Sequence, residues 1–465
     1  MIKLQFNCAV RNVTGSRHIL EIDGRRLLLD CGMFQGPRKL SRERNNTFHF
    51  ESSSIQNCVL SHAHIDHSGT LPALVRKKFQ GEIFCTPATA DLADILLHDS
   101  AHIQMYDAEY INKKRRKKGD TPVTPLYTEK DVEETLKRIK TVPYGQAFEP
   151  AAGVRATFFD AGHILGSAVT LYEISDGDRK LRLGFTGDLG RKSMPILKDP
   201  QHIPDLDVLI TESTYGQREH PESNTMRDEL CQIINRVHKR KGRLIIPAFS
   251  VGRSQTILYY IHQLLNKKKI PRQQVFLDSP LAIAATRIVS KHSECFDRSA
   301  LKLAGFQYDN MFNIPNLDFT KKVNDSIAIN RYPDPCIIIS ASGMCEAGRI
   351  LHHLKNNISG SHNAVLIVGW QAPHTLGRRI VERQDPLRIF DRKYPLKAEV
   401  IKINGLSAHA DGAELTEWAA SAVKPEGKIF CIHGELDACE ALAGRLRKRE
   451  FNNVHVPEDH EWVEI

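Results

Sequence analysis

The chain lacks several features that mark common classes of protein. No apolar run approaches the ~20 residues that a membrane-spanning helix needs, and residues Met1 to Phe6 have the pattern of a strand instead of a cleavable signal. Its ten cysteines include no CxxC pair. Five of them lie in or beside apolar strands: Cys31, Cys58, Cys85, Cys336 and Cys431. We therefore expect a soluble, cytoplasmic protein without disulfides or cysteine-bound zinc.

The sequence also lacks an internal repeat and a low-complexity linker. Its 465 residues exceed one ordinary core, so two domains are the default expectation. Lysine plus arginine number 64 against 55 for aspartate plus glutamate, a net charge of +9. This excess favours an anionic partner without identifying it.

The densest chemical signal is the segment Ser61 to Gly69, which directly follows the apolar run Cys58-Val59-Leu60. It carries three imidazoles and a carboxylate within six positions: His62, His64, Asp66 and His67. These are ligands that Zn²⁺ prefers when it keeps a position open for water. Residues two apart on an extended backbone point to the same side, so the first two histidines can bind one ion. The alternative, a solvated polar turn, is disfavoured because four such groups would repel one another when protonated.

Three further residues follow apolar strands and can complete a metal site. His163 lies in the turn after the strand-like run from Val154 to Phe159. Asp188 ends the run that begins at Leu183, and His433 ends the run that begins at Lys428. Each alone is typical of an ordinary loop residue. Together with the first segment, they supply the ligands that two ions sharing a bridging carboxylate would need.

This arrangement resembles the metallo-β-lactamase fold. The HxHxDH run, the later His163, Asp188 in its TGD triplet, and Asp30 at the end of the run that begins at Arg26 are similar to the ordered motifs of that fold. The fold implied is α/β, an αββα sandwich with both halves of the chain contributing strands.

The resemblance extends to the β-CASP branch, the nucleases that include the eukaryotic pre-mRNA 3′-end endonuclease and ribonuclease J. Its additional motifs resemble Glu212 in Thr211-Glu212-Ser213, His409 in Ser407-Ala408-His409-Ala410-Asp411, and His433 in a His-Gly-Glu triplet. The likeness covers nearly the whole chain. Within this branch, a histidine at the position of His433 goes with RNA and a valine with DNA, so the resemblance implies RNA.

The domain boundaries follow from the spacing of these motifs. Between Asp188 and His433 lie 244 residues, far more than two strands of one sheet need. Strand-like runs that begin at Leu244, Val275 and Cys336 each precede a helical run, the third helix near Glu346 to Lys355, which predicts a parallel α/β domain. We predict a metallo-β-lactamase domain over residues 1–213 and 395–465, and an inserted β-CASP domain over residues 214–394.

The resemblance also implies a role for each site residue. The first ion would be bound by His62, His64, His163 and the bridging Asp188. The second would be bound by Asp66, His67, Asp188 and His433. Asp30 would orient a ligand through a hydrogen bond. His409 would be the general acid that protonates the leaving 3′ oxygen, charged and oriented by Glu212.

Several segments are candidates for phosphate binding. The turn that contains Ser340, Ser342 and Gly343 follows a strand and precedes a predicted helix, where free backbone N–H groups can bind an anion. An ordinary strand-to-helix turn is an equally good interpretation of the residues alone, and the resemblance favours the phosphate site. Arg349 and Arg253 are candidate assistants. The basic run Lys113–Lys118 is a further candidate for RNA contact, although most such runs are simply solvated. The run Lys267–Lys269 is better explained as an exposed helix end.

These observations predict a zinc-dependent ribonuclease for RNA processing, and the resemblance implies that it acts as an endonuclease that leaves 5′-phosphate and 3′-hydroxyl ends. It would hold two Zn²⁺ ions per chain, with Mn²⁺ or Fe²⁺ also compatible with the ligands, and a homodimer is compatible with the sequence. Two alternatives stay open. A hydrolase of a small ester or phosphodiester would leave Glu212 and His409 without a role. A non-catalytic RNA-binding scaffold is disfavoured because every ligand is present.

Overall fold

The structure is a computed structural model of the chain, and it describes residues 1–177, 179–220, 225–305, 311–403 and 407–465. The chain divides into two compact units. The first unit comprises residues 1–192, 199–219 and 409–465, and the second comprises residues 193–198 and 220–408. In the described residues, no helix combines the length and the apolar character that a membrane crossing requires.

The strands are numbered in chain order: β1 (Ile2–Gln5), β2 (His18–Ile22), β3 (Arg25–Leu29), β4 (Ile55–Val59), β5 (Ile83–Cys85), β6 (Ile139–Thr141), β7 (Ala147–Ala151), β8 (Val154–Asp160), β9 (Ala168–Asp176), β10 (Arg179–Phe185), β11 (Leu206–Glu212), β12 (Leu244–Pro247), β13 (Gln274–Leu277), β14 (Leu317–Phe319), β15 (Cys336–Ser340), β16 (Ala364–Ile367), β17 (Leu387–Ile389), β18 (Arg392–Tyr394), β19 (Glu399–Lys402), β20 (Val423–Ile432), β21 (Val454–His455) and β22 (Trp462–Glu464).

The helices are α1 (Arg38–Asn46), α2 (Ile65–Ser68), α3 (Leu71–Arg76), α4 (Pro87–Arg116), α5 (Glu129–Leu136), α6 (Thr225–Lys239), α7 (Arg253–Asn266), α8 (Pro280–Lys291), α9 (Arg298–Ala304), α10 (Val323–Ile329), α11 (Ile350–Asn357), α12 (Leu376–Val381), α13 (Gly412–Ala422) and α14 (Leu436–Arg447). Short 3-10 helices cover Ser52–Ser54 and Ser293–Cys295.

Two seven-stranded sheets form the centre of the first unit. Their strand orders are β22-β1-β2-β3-β4-β5-β6 and β21-β20-β11-β10-β9-β8-β7. One apolar core joins them, because Leu4, Leu20 and Val59 of the first sheet pack in the same cluster as Phe158 and Phe185 of the second. The two sheets therefore pack face to face.

Helices cover the outer face of each sheet. Leu71 and Leu74 of α3 pack with Ile83 of the first sheet, and Trp418 of α13 and Leu442 of α14 pack in the core cluster outside the second sheet. A sheet covered on both faces needs strands that are apolar on both sides, as in β11, where six of seven residues are buried. The layers are α, β, β and α, which confirms the predicted fold.

The second unit is built on a six-stranded sheet of order β14-β13-β15-β12-β16-β19. All its strand pairs are parallel. Ile245 and Val365 of the sheet pack with Leu354 of α11 and Ile380 of α12. Parallel neighbours require crossover connections, which the alternating helices supply. The predicted parallel α/β architecture of the inserted domain is therefore confirmed.

One predicted helix begins later than expected. The sequence predicts a helix near Glu346 to Lys355, whereas α11 begins at Ile350. The preceding residues form a closed turn, in which the Ser342 N–H donates to the Ala347 carbonyl and Gly348 has a φ of 80°. A positive φ is not compatible with a helix, and it delays the helix start.

Candidate metal centre

Two adjacent parallel strands of the first sheet, β3 and β4, end at the same edge and supply half of the site. Asp30 follows β3 and is fully buried. Its carboxylate accepts hydrogen bonds from the Ser61 backbone N–H at 2.7 Å and from the Ser61 hydroxyl at 2.8 Å. The same carboxylate lies 2.7 Å from Nδ1 of His67. Asp30 therefore fixes both ends of the histidine-rich loop.

The second sheet supplies the other half. Strands β10, β11 and β20 are parallel neighbours, so the residues at their carboxyl ends, Asp188, Glu212 and His433, lie together although they are far apart in sequence. His163 lies in the turn between β8 and β9, where its N–H donates to the Ser167 hydroxyl at 3.0 Å. All four residues are buried.

A first group of ligand atoms comes from His62, His64, His163 and Asp188, all within 4.8 Å of one another. Nε2 of His62 and Nε2 of His163 lie 3.1 and 3.2 Å from Nδ1 of His64. Both Nε2 atoms lie 3.4 Å from Oδ2 of Asp188. Three ring nitrogens and one carboxylate oxygen thus converge on one small volume.

A second group comes from Asp66, His67 and His433. The Nε2 atoms of His67 and His433 are 3.1 Å apart, and Nε2 of His433 lies 3.7 Å from Oδ2 of Asp66. The other oxygen of Asp188, Oδ1, lies 3.2 Å from Nε2 of His67 and 3.4 Å from Nδ1 of His433. Asp188 therefore presents one oxygen to each group.

The protonation states suit ligands of a cation. Burial lowers the pKa of His62 and His163, and lowers that of His64 to about 3, so these rings are neutral near pH 7 and keep a lone pair. Burial also opposes a charge on His67, but the carboxylates of Asp188 and Asp30 outweigh it and raise the pKa of His67. A divalent cation would compete with that proton.

The contacts at the two groups also fit metal ions. Oδ1 of Asp188 is buried and has no hydrogen-bond partner among the residues that the structure describes. A buried carboxylate oxygen without a donor is costly, and ring nitrogens that lie only 3.1 to 3.2 Å apart are close enough to serve as ligands of one ion. Divalent cations in the two groups would satisfy these atoms.

A histidine and a glutamate lie beside the two groups. Nδ1 of His409 lies 3.2 and 3.1 Å from the two oxygens of Glu212 and 3.9 Å from Oδ2 of Asp188. Glu212 is fully buried and also accepts a hydrogen bond from the Leu189 N–H at 2.6 Å. Burial opposes the charged form of His409, but the carboxylates of Glu212 and Asp188 outweigh it and raise the pKa of His409 to about 9.

Sequence reasoning assigned no role to two hydroxyl residues that contact the ligands. The Ser61 hydroxyl lies 3.0 Å from Nδ1 of His62 while it donates to Asp30. The Thr214 hydroxyl donates to the His433 carbonyl and lies 3.3 Å from Nδ1 of the same ring. Each directly adjoins a predicted motif, which is the one sequence signal that could have identified it.

The predicted phosphate-binding residues all belong to the second unit. Ser340 is fully buried, and its hydroxyl donates to the Asp278 carbonyl at 2.8 Å. The Ser342 hydroxyl accepts a hydrogen bond from the Glu346 N–H at 3.1 Å. A Cβ on Gly343 would lie 3.0 to 3.1 Å from atoms of Phe249, so any larger residue there would require Phe249 to shift by a few tenths of an ångström.

The two predicted arginine assistants differ in their contacts. Arg253 begins α7 and is half-buried. The Arg349 guanidinium donates to the Asp278 carboxylate at 2.7 Å and to the carbonyls of Thr320 and Lys321 at 2.8 and 2.7 Å. Arg349 is therefore engaged within its own unit. Lys267–Lys269 follow α7 and are exposed, as predicted for a helix end.

Three family models match the chain. A metallo-beta-lactamase superfamily domain matches residues 19–181, a Beta-Casp domain matches residues 254–380, and a Zn-dependent metallo-hydrolase RNA specificity domain matches residues 393–457. A protein of unknown function from Enterococcus faecalis has a solved structure with the same fold, at a TM-score of 0.54 and 13% identity over 99% of both chains.

Curated relatives match nearly the full length of this chain. A ribonuclease of Thermus thermophilus is 34% identical over 442 residues, which cover 95% of both chains. An RNase J-like protein of Methanocaldococcus jannaschii is 30% identical over 94% of this chain and 93% of its own. The transcription termination factor FttA of the same organism is 27% identical over all of this chain and 72% of its own. The chain therefore belongs to the β-CASP family of metallo-β-lactamase-fold proteins and is a metal-dependent hydrolase.

Proposed function

We propose that this protein hydrolyses phosphodiester bonds of RNA, cutting within the strand and leaving 5′-phosphate and 3′-hydroxyl ends. The observation that carries the proposal is the position of Asp188, which faces one ligand group with each oxygen and lies 3.9 Å from His409. Water activation and leaving-group protonation then have separate residues in one site. Two of the relatives are ribonucleases by name, which supports RNA as the substrate.

The two groups would each hold a divalent ion, with Zn²⁺ as the first candidate because the ligands are imidazole nitrogens and carboxylate oxygens. His62, His64, His163 and Asp188 would bind one ion, and Asp66, His67, Asp188 and His433 the other. When bound, such ions lower the pKa of water and stabilise the charge that develops on phosphate oxygens. Asp30 positions His67, and Ser61 positions His62.

His409 is the proton donor in this proposal. The oxygen of water forms the new bond to phosphorus, the bond from phosphorus to the 3′ oxygen breaks, and that oxygen takes a proton. Nδ1 of His409 faces Glu212, which leaves Nε2 to donate the proton. The raised pKa of His409, about 9, keeps the ring charged at neutral pH.

The second unit would contribute contacts to the phosphate backbone. Ser342 and Gly343 lie in a tight turn at the end of a strand, and Arg253 begins a helix. We include Ser340 as the buried anchor of that turn. The contacts of Arg349 favour a supporting role for it, because its guanidinium is bound to Asp278.

The state of the cysteines bears on the proposed cytoplasmic location. All ten are free thiols, and nine of them are buried. Thiols persist in a reducing compartment, which supports the proposed cytoplasmic location. The groups of possible ligands among the described residues contain no cysteine, and such sites also accept Mn²⁺ or Fe²⁺.

Cleavage of a circular RNA tests the proposal most directly. The purified, metal-loaded protein is incubated with a circular RNA, with the same RNA as a linear strand, and with a DNA circle of the same sequence. Linear products from the RNA circle, with 5′-phosphate ends and little cutting of DNA, support internal RNA hydrolysis. Equal cutting of RNA and DNA would refute the RNA assignment. Turnover of a thioester, with no cutting of either polymer, would assign the protein to the small-ester hydrolases.

A further inference from the structure

Helix α4 extends from the turn that contains His163 to a remote surface of the first unit. It spans 30 residues, which corresponds to about 45 Å at ~1.5 Å per residue. At its start, the hydroxyls of Thr86 and Thr89 both donate to the carbonyl of Gly166, at 2.7 and 2.8 Å. Gly166 lies in the same turn as His163. The helix therefore begins beside the metal site and extends away from it.

The far half of α4 exposes large side chains. Ala101 and Ala108 are buried, lie seven residues or two helical turns apart, and mark the face that packs on the protein. Outside that face, Tyr106 is 66% exposed, Tyr110 is 54% exposed and Ile103 is 52% exposed. These three residues are spaced by three and four positions, so they share one side of the helix. The exposed side is therefore a row of apolar and aromatic surfaces.

The basic run Lys113–Lys118 continues this row at the end of the helix. Gly119 has a φ of 74°, its N–H donates to the Arg116 carbonyl, and the N–H of Asp120 donates to the Arg115 carbonyl. This hydrogen-bond pattern is a Schellman motif, which closes a helix end. Asn112 adds two hydrogen bonds to the backbone of Val123. The cations are thus presented on an ordered helical turn.

The protein itself accounts for little of this charge. Among the described residues, one ion pair is recorded for the six basic residues, between Lys113 and Glu109 at 3.1 Å. Four of the six lie in the last turn of α4, where cations interact favourably with the helix dipole, but at exposed positions each such interaction is weak. The ammonium of Lys114 lies 4.5 Å from the ring centroid of Tyr110. Charge and aromatic surface therefore adjoin directly.

We propose that this surface, the α4 tip (Tyr106, Tyr110 and Lys113–Lys118), binds single-stranded RNA outside the metal site. Aromatic faces beside a track of cations are what unpaired nucleic acid recognises, because bases stack on the rings while phosphates meet the ammonium groups. A second copy of the chain fits poorly, since a symmetric contact would bring two clusters of six cations together. The inference rests on the proposed function, because RNA is then the polyanion that this protein encounters.

The position of the α4 tip predicts a length requirement for the RNA. About 26 residues of helix separate Pro87 from Lys113, a distance of about 40 Å at ~1.5 Å per residue. A stacked strand advances ~3.4 Å per nucleotide and an extended single strand roughly twice as far, so about six to twelve nucleotides span this distance. An RNA of four nucleotides held at the metal site cannot reach the α4 tip, whereas an RNA of thirty nucleotides can.

The test compares the binding of uridine oligonucleotides of four and thirty residues by fluorescence anisotropy, in metal-loaded protein that carries His409→Ala to slow cleavage. The test variant changes Lys114, Lys117 and Lys118 to Gln. The matched control changes Lys267, Lys268 and Lys269 to Gln, which removes the same charge from another exposed run.

We expect the test variant to weaken binding of the long RNA by roughly 10- to 100-fold at 100 mM salt and to flatten the salt slope by about two. Binding of the short RNA should not change. Tyr106→Ala should weaken the long RNA by roughly 5- to 100-fold, and Tyr106→Phe should restore binding because it keeps the ring.

Two outcomes would overturn the proposal. The first is a test variant that weakens binding no more than the control does. The second is an equal loss of affinity for the short and the long RNA, which would show that the variant acts through the net charge of the protein and not through contacts at the α4 tip. Cleavage of the short RNA by protein with intact His409 is measured separately. If that cleavage is absent while length-dependent binding remains, the proposed function fails and the α4 tip is supported.

Discussion

Replacing Asp30 by asparagine should weaken one metal site much more than the other. The buried carboxylate of Asp30 accepts hydrogen bonds from three groups, the Ser61 backbone N–H, the Ser61 hydroxyl and Nδ1 of His67. Asparagine offers one acceptor oxygen and one NH₂ group. If its oxygen replaces Oδ1 beside the Ser61 N–H, its NH₂ group points at Nδ1 of His67. That ring must then protonate Nε2, the atom that faces His433 and Asp188.

The expected size follows from what such contacts contribute. Residues that orient a ligand histidine typically contribute 10- to 100-fold to metal affinity, which is about 1.4 to 2.8 kcal/mol. We assign this loss to the group of Asp66, His67 and His433. Among the ligand residues that the structure describes, His67 is the one whose side chain hydrogen-bonds to Asp30. The group around His62 and His163 should lose less.

The assay is the release of metal to a chelating indicator, in which two ions of different affinity give two phases. Asp30→Asn should accelerate one phase and leave the other nearly unchanged, while circular dichroism shows a folded protein. Asp207→Asn is the matched control, since it removes a carboxylate of the same unit that pairs with Lys424. Equal loss of both ions, or unchanged release, would refute the assigned role of Asp30.

Three other changes have defined outcomes. His409→Ala should leave the metal content of the protein unchanged and lower RNA turnover by roughly 10² to 10⁴, and loss of an ion, measured by elemental analysis, would contradict its role as the acid. Gly32→Ala should abolish metal binding by the group of Asp66, His67 and His433, because the new Cβ would lie 1.6 Å from the Asp66 carbonyl oxygen. An unchanged metal content would contradict this. Buried Asp278 should make the second unit sensitive to acid. Burial would raise its pKa, but hydrogen bonds led by that from His353 outweigh this and lower the pKa to about 2. Because the pKa of Asp278 is lower in the folded than in the unfolded protein, its ionised form contributes up to roughly 2 kcal/mol of stability above pH ~4, and this contribution is lost between pH ~4 and 2. Denaturation measured across this pH range should show the loss for the protein and not for Asp278→Asn.

The sequence predicted which residues the structure brings together at the metal centre because the ligands follow strands. A residue directly after a parallel strand lies at the carboxyl edge of the sheet, whatever its distance in sequence. Asp188, Glu212 and His433 obey this rule on β10, β11 and β20. Local patterns of apolar residues predict the strands and the polar residues that follow them, whereas the αββα fold and the role of Glu212 were implied by the family resemblance.

The contacts of Arg349 could not be predicted in the same way. A guanidinium that meets a phosphate and one that pairs with Asp278, 71 positions earlier, have the same local sequence. The difference depends on the packing of β13 beside β15, which places Asp278 beneath α11. The late start of that helix had a similar cause, since the turn closed by Ser342 and Ala347 is a property of backbone geometry.

The pairing of β11 with β20 explains how the chain tolerates a long insertion within its site. Thr211 lies opposite Cys431, and Glu212 lies opposite Ile432, so Glu212 and His433 are neighbours by register although 220 residues lie between them. The first unit resumes at His409, which pairs with Gly190 through an isolated bridge. The Ala410 N–H then donates to the Leu189 carbonyl, and the Leu189 N–H donates to Glu212. The returning chain is therefore attached to the residues on either side of its own exit, and the hydrogen bonds that close the unit are the same ones that place His409 beside Glu212.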